Sequence, residues 1–382
     1  MLFFIIVTFQ ILFQFCAFAT TIVTGTTVGV KFHPGHYLQP LGGDKSVNGF
    51  AIKETYADIN SSPALVGIQL NLDWIDLEPS KDVINYKLIQ DHLDKMKGTG
   101  AGTKRLIIYI VTKTTELDAP FIPSYLKTEP VYQGGLYPWG NSVGGSIPTV
   151  HKGNGIKFWI PEMRDRMVLL MQKLGARFNA HSNFEGIGLP ETAIGQPLIT
   201  VTAAQEEAVH KNYLFVQKKM KIFFPNTMTF QFTNYPKEIL PWFIMGATDS
   251  LKSMGVGLGG PDVWLNDPGV NYPGSKYNLP GVYTYYPKLS GIVPLTPSVQ
   301  SGDYKCSRAD CNNSKGNFVP TVRQLLDFAR DKLKANYLFW TRVTPTKYKE
   351  VINMIKNLDT KNDPAVKLIK TCPSMLAPCI TD

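Results

Sequence analysis

The chain has 382 residues, 44% hydrophobic and 18% charged, which excludes an intrinsically disordered protein. Five cysteines are too few for a small disulfide-stapled fold, and 32 glycines, 27 prolines and 12% aromatics suit a loop-rich α/β or all-β protein better than a helical bundle. The net charge of +9 is spread along the chain; its densest stretch, Lys218-Lys219-Met220-Lys221, falls in a predicted helix, and no nucleic-acid motif accompanies it, so no nucleic-acid partner is expected.

Residues 1–19 contain no charged side chain, run apolar from Leu2 to Phe13 and end in Ala17-Phe18-Ala19. This reads as a secretory signal peptide cut before Thr20, with an uncleaved N-terminal anchor as the alternative. No later segment is apolar long enough to span a bilayer. Cleavage removes Cys16 and leaves Cys306, Cys311, Cys372 and Cys379. In a secreted chain the local pairs Cys306–Cys311 and Cys372–Cys379 are the natural disulfides; cross-pairing stays open. Neither pair has C-x-x-C spacing or a neighbouring histidine, so no metal is expected. Asn60-Ser61-Ser62 and Asn312-Asn313-Ser314 are sequons that matter only in a eukaryotic secretory route.

Apolar runs then alternate with amphipathic stretches. Strands are predicted at 27–32, 65–72, 105–111, 184–189, 227–233 and 256–258, with a seventh beginning at 291–295 and an eighth at 337–340. Helices are predicted over 84–98, 161–181, 202–224, 240–254, 320–335 and 348–358. The clearest, 161–181, starts on Pro161 and carries Met163, Met167, Leu170, Met171, Leu174 and Phe178 on one stripe. Thr202 is the expected N-cap of the next. Eight strands interleaved with helices predict a (β/α)8 TIM barrel, residues 20–382 forming one barrel domain. A doubly wound sheet is the rival, but Gly25, Gly29 and Gly35 do not form G-x-G-x-x-G, and no P-loop pattern occurs, so no nucleotide cofactor is expected.

The extra length over a barrel of roughly 250 residues falls at 114–160, 262–290 and 301–319. All three segments leave C-terminal strand ends, where such barrels build active sites. The first two are aromatic: Phe121, Tyr125, Tyr132, Tyr137, Trp139, Phe158 and Trp159, then Trp264, Tyr272, Tyr277, Tyr283, Tyr285 and Tyr286. Such rings either stack on sugars at an exposed rim or form a local core that holds the loops.

The stretch Leu72-Asp73-Trp74-Ile75-Asp76-Leu77-Glu78-Pro79, with Ile84-Asn85-Tyr86 and Lys104-Arg105-Leu106 after it, is similar to the second-strand region of glycoside hydrolases in the large (β/α)8 clan that includes the β-galactosidase-like families. The likeness spans residues 64–112. It implies an acid/base glutamate at the end of the fourth strand and a nucleophile glutamate at the end of the seventh. Glu191, in Gly188-Leu189-Pro190-Glu191, stands at the first position, with Pro190 where the clan has asparagine. The seventh strand has no carboxylate, and Gln300 stands at about the nucleophile's place. Asp262 ends the sixth strand, two strand spacings from the fourth. Inward side chains from those strands would sit roughly 6.5–9.5 Å apart, the inverting separation rather than the retaining one.

The sequence therefore predicts Glu191 as general acid with Asp262 as the second carboxylate. His33, Asp73, Trp74, Lys113, Tyr235, Trp264, Gln300 and Trp340 are the expected substrate contacts, Trp340 as a floor under the sugar. Glu78 is assigned to a turn and Glu185 to the barrel bottom. The expected activity is that of a secreted protein hydrolysing glycosidic bonds in a polysaccharide or glycoconjugate by general acid/base catalysis; a noncatalytic carbohydrate-binding protein on the same barrel is the alternative.

Overall fold

The computed structural model describes residues 29–97, 102–140, 150–234, 241–271, 280–305, 318–342 and 345–381. The expected signal segment, Tyr235, Tyr272, Tyr277, Cys306, Cys311 and Asn312 lie outside those residues. Eight parallel strands close into a barrel: β1 (Gly35–Pro40), β2 (Leu65–Asp73), β3 (Arg105–Val111), β4 (Phe184–Leu189), β5 (Met228–Phe232), β6 (Gly257–Gly260), β7 (Leu295–Val299) and β8 (Tyr337–Arg342). Each pairs with its neighbours in chain order, and β8 closes on β1. The TIM barrel expected from the sequence is thus the fold.

The first strand was expected at 27–32, and the structure moves it. Val30–Lys31 instead pair in parallel with Cys379–Ile380 across the N-terminal mouth, and Cys372 and Cys379 form the expected disulfide. The barrel strand starts after Pro34, at Gly35, whose φ of +152° favours glycine. The displacement has a simple cause. The 27–32 run is apolar because Val30 and Phe32 plug the barrel bottom, whereas His36-Tyr37-Leu38-Gln39 alternates between the two faces of a strand and looks less apolar. The seventh strand likewise starts at Leu295 rather than 291.

The surrounding helices are α1 (Phe50–Ile59), α2 (Tyr86–Lys95), α3 (Pro161–Phe178), α4 (Ala203–Phe223), α5 (Pro241–Met254), the single turn α6 (Tyr286–Leu289), α7 (Val322–Asp327), which runs on into a π turn, and α8 (Pro345–Lys361). All six predicted stripe residues of α3 are buried. Thr202 caps α4 by accepting from the Gln205 amide at 3.2 Å, while the Gln205 side chain accepts the Thr202 amide at 2.8 Å. α1, with its exposed Phe50 and weak periodicity, escaped the sequence reading.

The barrel interior is a separate core from the strand–helix layer. Tyr37 from β1, Phe230 and Phe232 from β5, and Tyr337 and Phe339 from β8 fill it in edge-on and tilted contacts with centroids 5.5–6.3 Å apart. Space for these rings comes from glycines on the intervening strands. A Cβ on Gly188 of β4 would lie 2.2 Å from the Phe230 ring, and one on Gly259 of β6 would lie 2.4 Å from Phe232. The bottom is sealed by Glu185, displaced inward at a register shift in β4. Its carboxylate accepts the His33 amide and ring Nδ1, both at 2.7 Å, and the Tyr337 hydroxyl at 2.7 Å. Burial drives the Glu185 carboxyl up, but the bonds from His33 and Tyr337 outweigh it and hold it below its ordinary value.

Overpacking is therefore the expected failure of this core. Gly188→Ala should lower the unfolding free energy by about 1–3 kcal/mol, and adding Phe230→Leu to the same chain should recover part of that loss. Urea midpoints of wild type, both single variants and the double variant check this through the coupling term.

Candidate functional site

Above the aromatic layer the inward positions turn polar. Gln39 of β1, Asn71 of β2, Ser298 of β7 and Thr341 of β8 form one hydrogen-bonded layer, and Tyr109 of β3 lines the same cavity. The Gln39 Oε1 accepts the hydroxyls of Ser298 at 3.1 Å and Thr341 at 2.7 Å, and its Nε2 donates to Asn71 Oδ1 at 3.1 Å. Gln69 also donates to Asn71 Oδ1, at 2.9 Å, and Gln300 donates to Ser298 at 3.0 Å. On this layer stands a cavity of about 330 Å³, lined by Gln39, Asn71, Tyr109, Glu191, Phe232, Pro261, Asp262, Gln300, Ser301 and Gly302. It opens where βα loops leave the barrel, the end at which this fold builds its sites.

Glu191, Asp262 and Gln300 are thus brought together. Glu191 lies two residues past β4, on a loop held from the side by the insertion after β3. That insertion forms three strands of an antiparallel sheet, Lys113–Thr114, His151–Ile156 and Leu136–Gly140, and the loop that carries Glu191 adds the fourth, Gln196–Pro197. Its first strand presents Lys113, whose ammonium pairs with Glu191 Oε1, donates to the Ala193 carbonyl at 2.8 Å and lies 5.2 Å over the Trp139 ring. Asn234, just past β5, donates its amide to Glu191 Oε2 and accepts the Ala193 amide at 3.1 Å. Both partners of the carboxylate are donors.

Tyr109 and Glu191 line the same cavity. Burial foremost, then the charge of Glu191, raises the Tyr109 phenol well above its ordinary value, and Asp262 adds to the effect.

Asp262 follows β6, with its carbonyl accepting the Tyr283 hydroxyl at 2.6 Å. Asp303, fully buried, lies behind it. Asp303 Oδ2 accepts the amides of Val263 at 2.9 Å and Gln300 at 2.8 Å, clamping the β6 and β7 tips together. Burial and then the charge of Asp262 raise its carboxyl well above the ordinary range.

Other expected contacts sit elsewhere. His33 lies at the opposite, N-terminal mouth, bound to Glu185, because the first barrel strand begins after it rather than before it. Trp340 points out of the barrel: fully buried, it donates to His36 Nδ1 at 3.0 Å in the strand–helix layer, while its neighbours Phe339 and Thr341 face inward. It is no floor for a sugar. Trp74 is also fully buried and donates to Glu78 Oε2 at 2.9 Å. Trp264 packs on the loop at Gly302, supporting the cavity wall rather than lining it. All seven rings of the first insertion are buried, as are Tyr283 and Tyr286 of the second, so they form the local core that holds the loops. Glu78, in its turn, is buried and pairs with Arg166 of α3.

Gln39, Asn71 and Tyr109 escaped the sequence reading. Their signal was a period of two, with Gln69 and Asn71 polar between the outward Leu70 and Leu72.

The sequence matches no protein-family model and no curated protein. Among solved structures, the catalytic domain of β-amylase from Paenibacillus polymyxa is similar with a TM-score of 0.53 at 10% sequence identity, covering 88% of this chain and 100% of that one. A variant of GH5_18 from Streptomyces cattleya in complex with Manb1-4GlcNAc gives 0.48 at 12% identity, over 91% of this chain and 88% of its own. At these identities the likeness is one of fold: the chain carries the (β/α)8 barrel on which these glycoside hydrolases are built.

Asp73 ends β2 outside the cavity lining, with its amide donating to Asp76 Oδ2 at 2.9 Å at the start of the helical turn Trp74–Leu77. Burial foremost, and then Asp76, pushes its carboxyl up to about 6. A raised carboxyl binds its proton more tightly when folded, so its stabilising share is complete below the unfolded pKa and is lost as pH rises through about 6. Asp73→Asn should therefore gain stability relative to wild type between about pH 4 and pH 7. Urea midpoints across that range check the sign; a difference that shrinks with rising pH would refute it.

Proposed function

We propose that the protein is a secreted glycosidase, hydrolysing a glycosidic bond with Glu191 and Asp262 as its two carboxylates. The observation that carries this reading is that both line one cavity at the C-terminal mouth of the barrel, over a floor of amides and hydroxyls. Such a floor hydrogen-bonds a neutral, hydroxyl-rich ligand, and a carboxylate pair across it is what glycoside hydrolysis requires. The apolar segment 1–19 and the Cys372–Cys379 disulfide support export.

The sequence assigned the proton-donating role to Glu191. The geometry favours the reverse. Among the described residues the partners of the Glu191 carboxylate, Lys113 and Asn234, are both donors, which suits a carboxylate that accepts a proton from the attacking water. Asp262, near the buried carboxyl of Asp303 with its raised proton affinity, suits the acid. In the proposed step the water oxygen bonds to the anomeric carbon as its proton passes to Glu191, and the glycosidic C–O bond breaks as the leaving oxygen takes a proton from Asp262.

One observation favours a second reading, binding without turnover: the β7 tip offers the Gln300 amide where a nucleophile would stand. A screen of oligosaccharides and aryl glycosides separates the two. Glu191→Gln and Asp262→Asn should each lower kcat by about 10²–10⁴-fold while glycan affinity changes little. Glycan binding by the wild type with no product released would establish the binding protein instead.

A further inference from the structure

The sequence places Lys113 among the substrate contacts; the structure gives it another place. Neither Lys113 nor Asn234 lines the cavity. They reach Glu191 from the two strands that flank β4, Lys113 just past β3 and Asn234 just past β5. Each holds Glu191 by the same two means, one bond to the carboxylate and one to the backbone of Ala193. Lys113 pairs with Oε1 and donates to the Ala193 carbonyl at 2.8 Å. Asn234 donates to Oε2 and accepts the Ala193 amide at 3.1 Å. The Lys113 side chain is only 15% exposed, and its ammonium lies 5.2 Å over the Trp139 ring, which keeps it in the wall.

We infer that Lys113 and Asn234 are positioning residues: together they clamp the Glu191 carboxylate to its own loop, so that the base is fixed in place before a substrate arrives. This inference rests on the proposed base role of Glu191. The terminal torsion of a glutamate is broad, so a single bond leaves the carboxylate free to turn. Bonds to both oxygens, from opposite sides, fix its plane. The two bonds to Ala193 fix the loop in the same frame, two residues beyond the carboxylate it carries. A carboxylate has about four lone-pair sites, and the clamp takes one on each oxygen, which leaves acceptors for the attacking water. Such preorganisation is read in kcat, since a displacement of about 1 Å can cost on the order of 10²-fold.

Lys113→Met keeps the apolar stem and removes the ammonium. Its kcat should fall about 10–10²-fold with KM within about twofold of wild type. In Lys113→Ala, added propylammonium should restore kcat by at least about fivefold, because it returns a cation to the carboxylate. A raised KM with kcat unchanged would make Lys113 a substrate contact, and a loss of kcat that propylammonium leaves untouched would make it a structural prop; either result overturns the inference. A second measurement needs no turnover. Urea midpoints of the full-length wild type, Lys113→Met, Glu191→Gln and the double variant should show losses that overlap rather than add, as for two groups in direct contact. If the losses add, the clamp is absent in solution and the inference fails whatever the turnover. If they overlap but no glycoside is hydrolysed, the clamp stands and the hydrolase reading falls.

Discussion

The structure depends on filling a closed barrel. Five rings, from Tyr37, Phe230, Phe232, Tyr337 and Phe339, occupy its centre, and they fit because β2, β4 and β6 carry glycines at inward positions. Large rings on β1, β5 and β8 oppose empty positions on the strands between, so total volume is met without a void. This explains why the glycine content is high without the chain being loop alone: Gly67, Gly186, Gly188, Gly257 and Gly259 are core residues by omission. The aromatic layer also closes the barrel as a passage. The cavity opens at the C-terminal mouth and ends at the amide and hydroxyl layer above the rings.

That arrangement assigns separate tasks to strands and loops. The strands supply the floor, through Gln39, Asn71 and Tyr109 at alternate positions. The carboxylates Glu191 and Asp262 each stand two residues beyond a strand end, where backbone alone would leave them loosely placed. Each is therefore braced by an insertion. Lys113, from the sheet that follows β3, pairs with Glu191, and Tyr137 of the same sheet donates to the Ile194 carbonyl at 2.9 Å on the Glu191 loop. Tyr283 and Asp303 brace the Asp262 loop from the other side. The buried rings of the insertions are the means of this bracing: they give loops a core of their own, so that two flexible segments can hold charged groups to a fixed geometry.

How much of this was legible in the sequence follows from what each signal measures. Apolar runs and helical stripes report burial, and burial placed seven barrel strands and α3 at or near their positions. The same signal misplaced the first strand, because Val30 and Phe32 are as buried in the bottom plug as any strand residue. Trp74 and Trp340 failed for a related reason. A tryptophan near a strand end is apolar on either side of the barrel, and only the alternation around it, with Phe339 and Thr341 facing in, says which. His33 fell with the misplaced strand. Glu191 and Asp262 were legible because a carboxylate just past a strand end has little to gain in stability there. Gln39, Asn71 and Tyr109 were not, because one polar residue inside an apolar strand resembles an exposed position until the barrel is closed.

The absent carboxylate at the end of β7 then takes on a different meaning. Gln300 stands at the tip, and three residues later the chain turns back so that Asp303 accepts the Gln300 amide itself. An acidic group does stand at this corner of the barrel: Asp303 lies beneath the surface, sealed from solvent and joined to the neighbouring tip through Val263. A carboxylate exposed at the β7 tip would add negative charge to a cavity that already holds Glu191 and Asp262, and each added anion disfavours ionisation of the others. From below the tip the Asp303 carboxyl still acts electrostatically with Asp262, while Gln300 itself lines the cavity. The pocket thereby retains two carboxylates of unlike surroundings, one set among donors and one beside a second acid, which is the asymmetry that acid and base roles require.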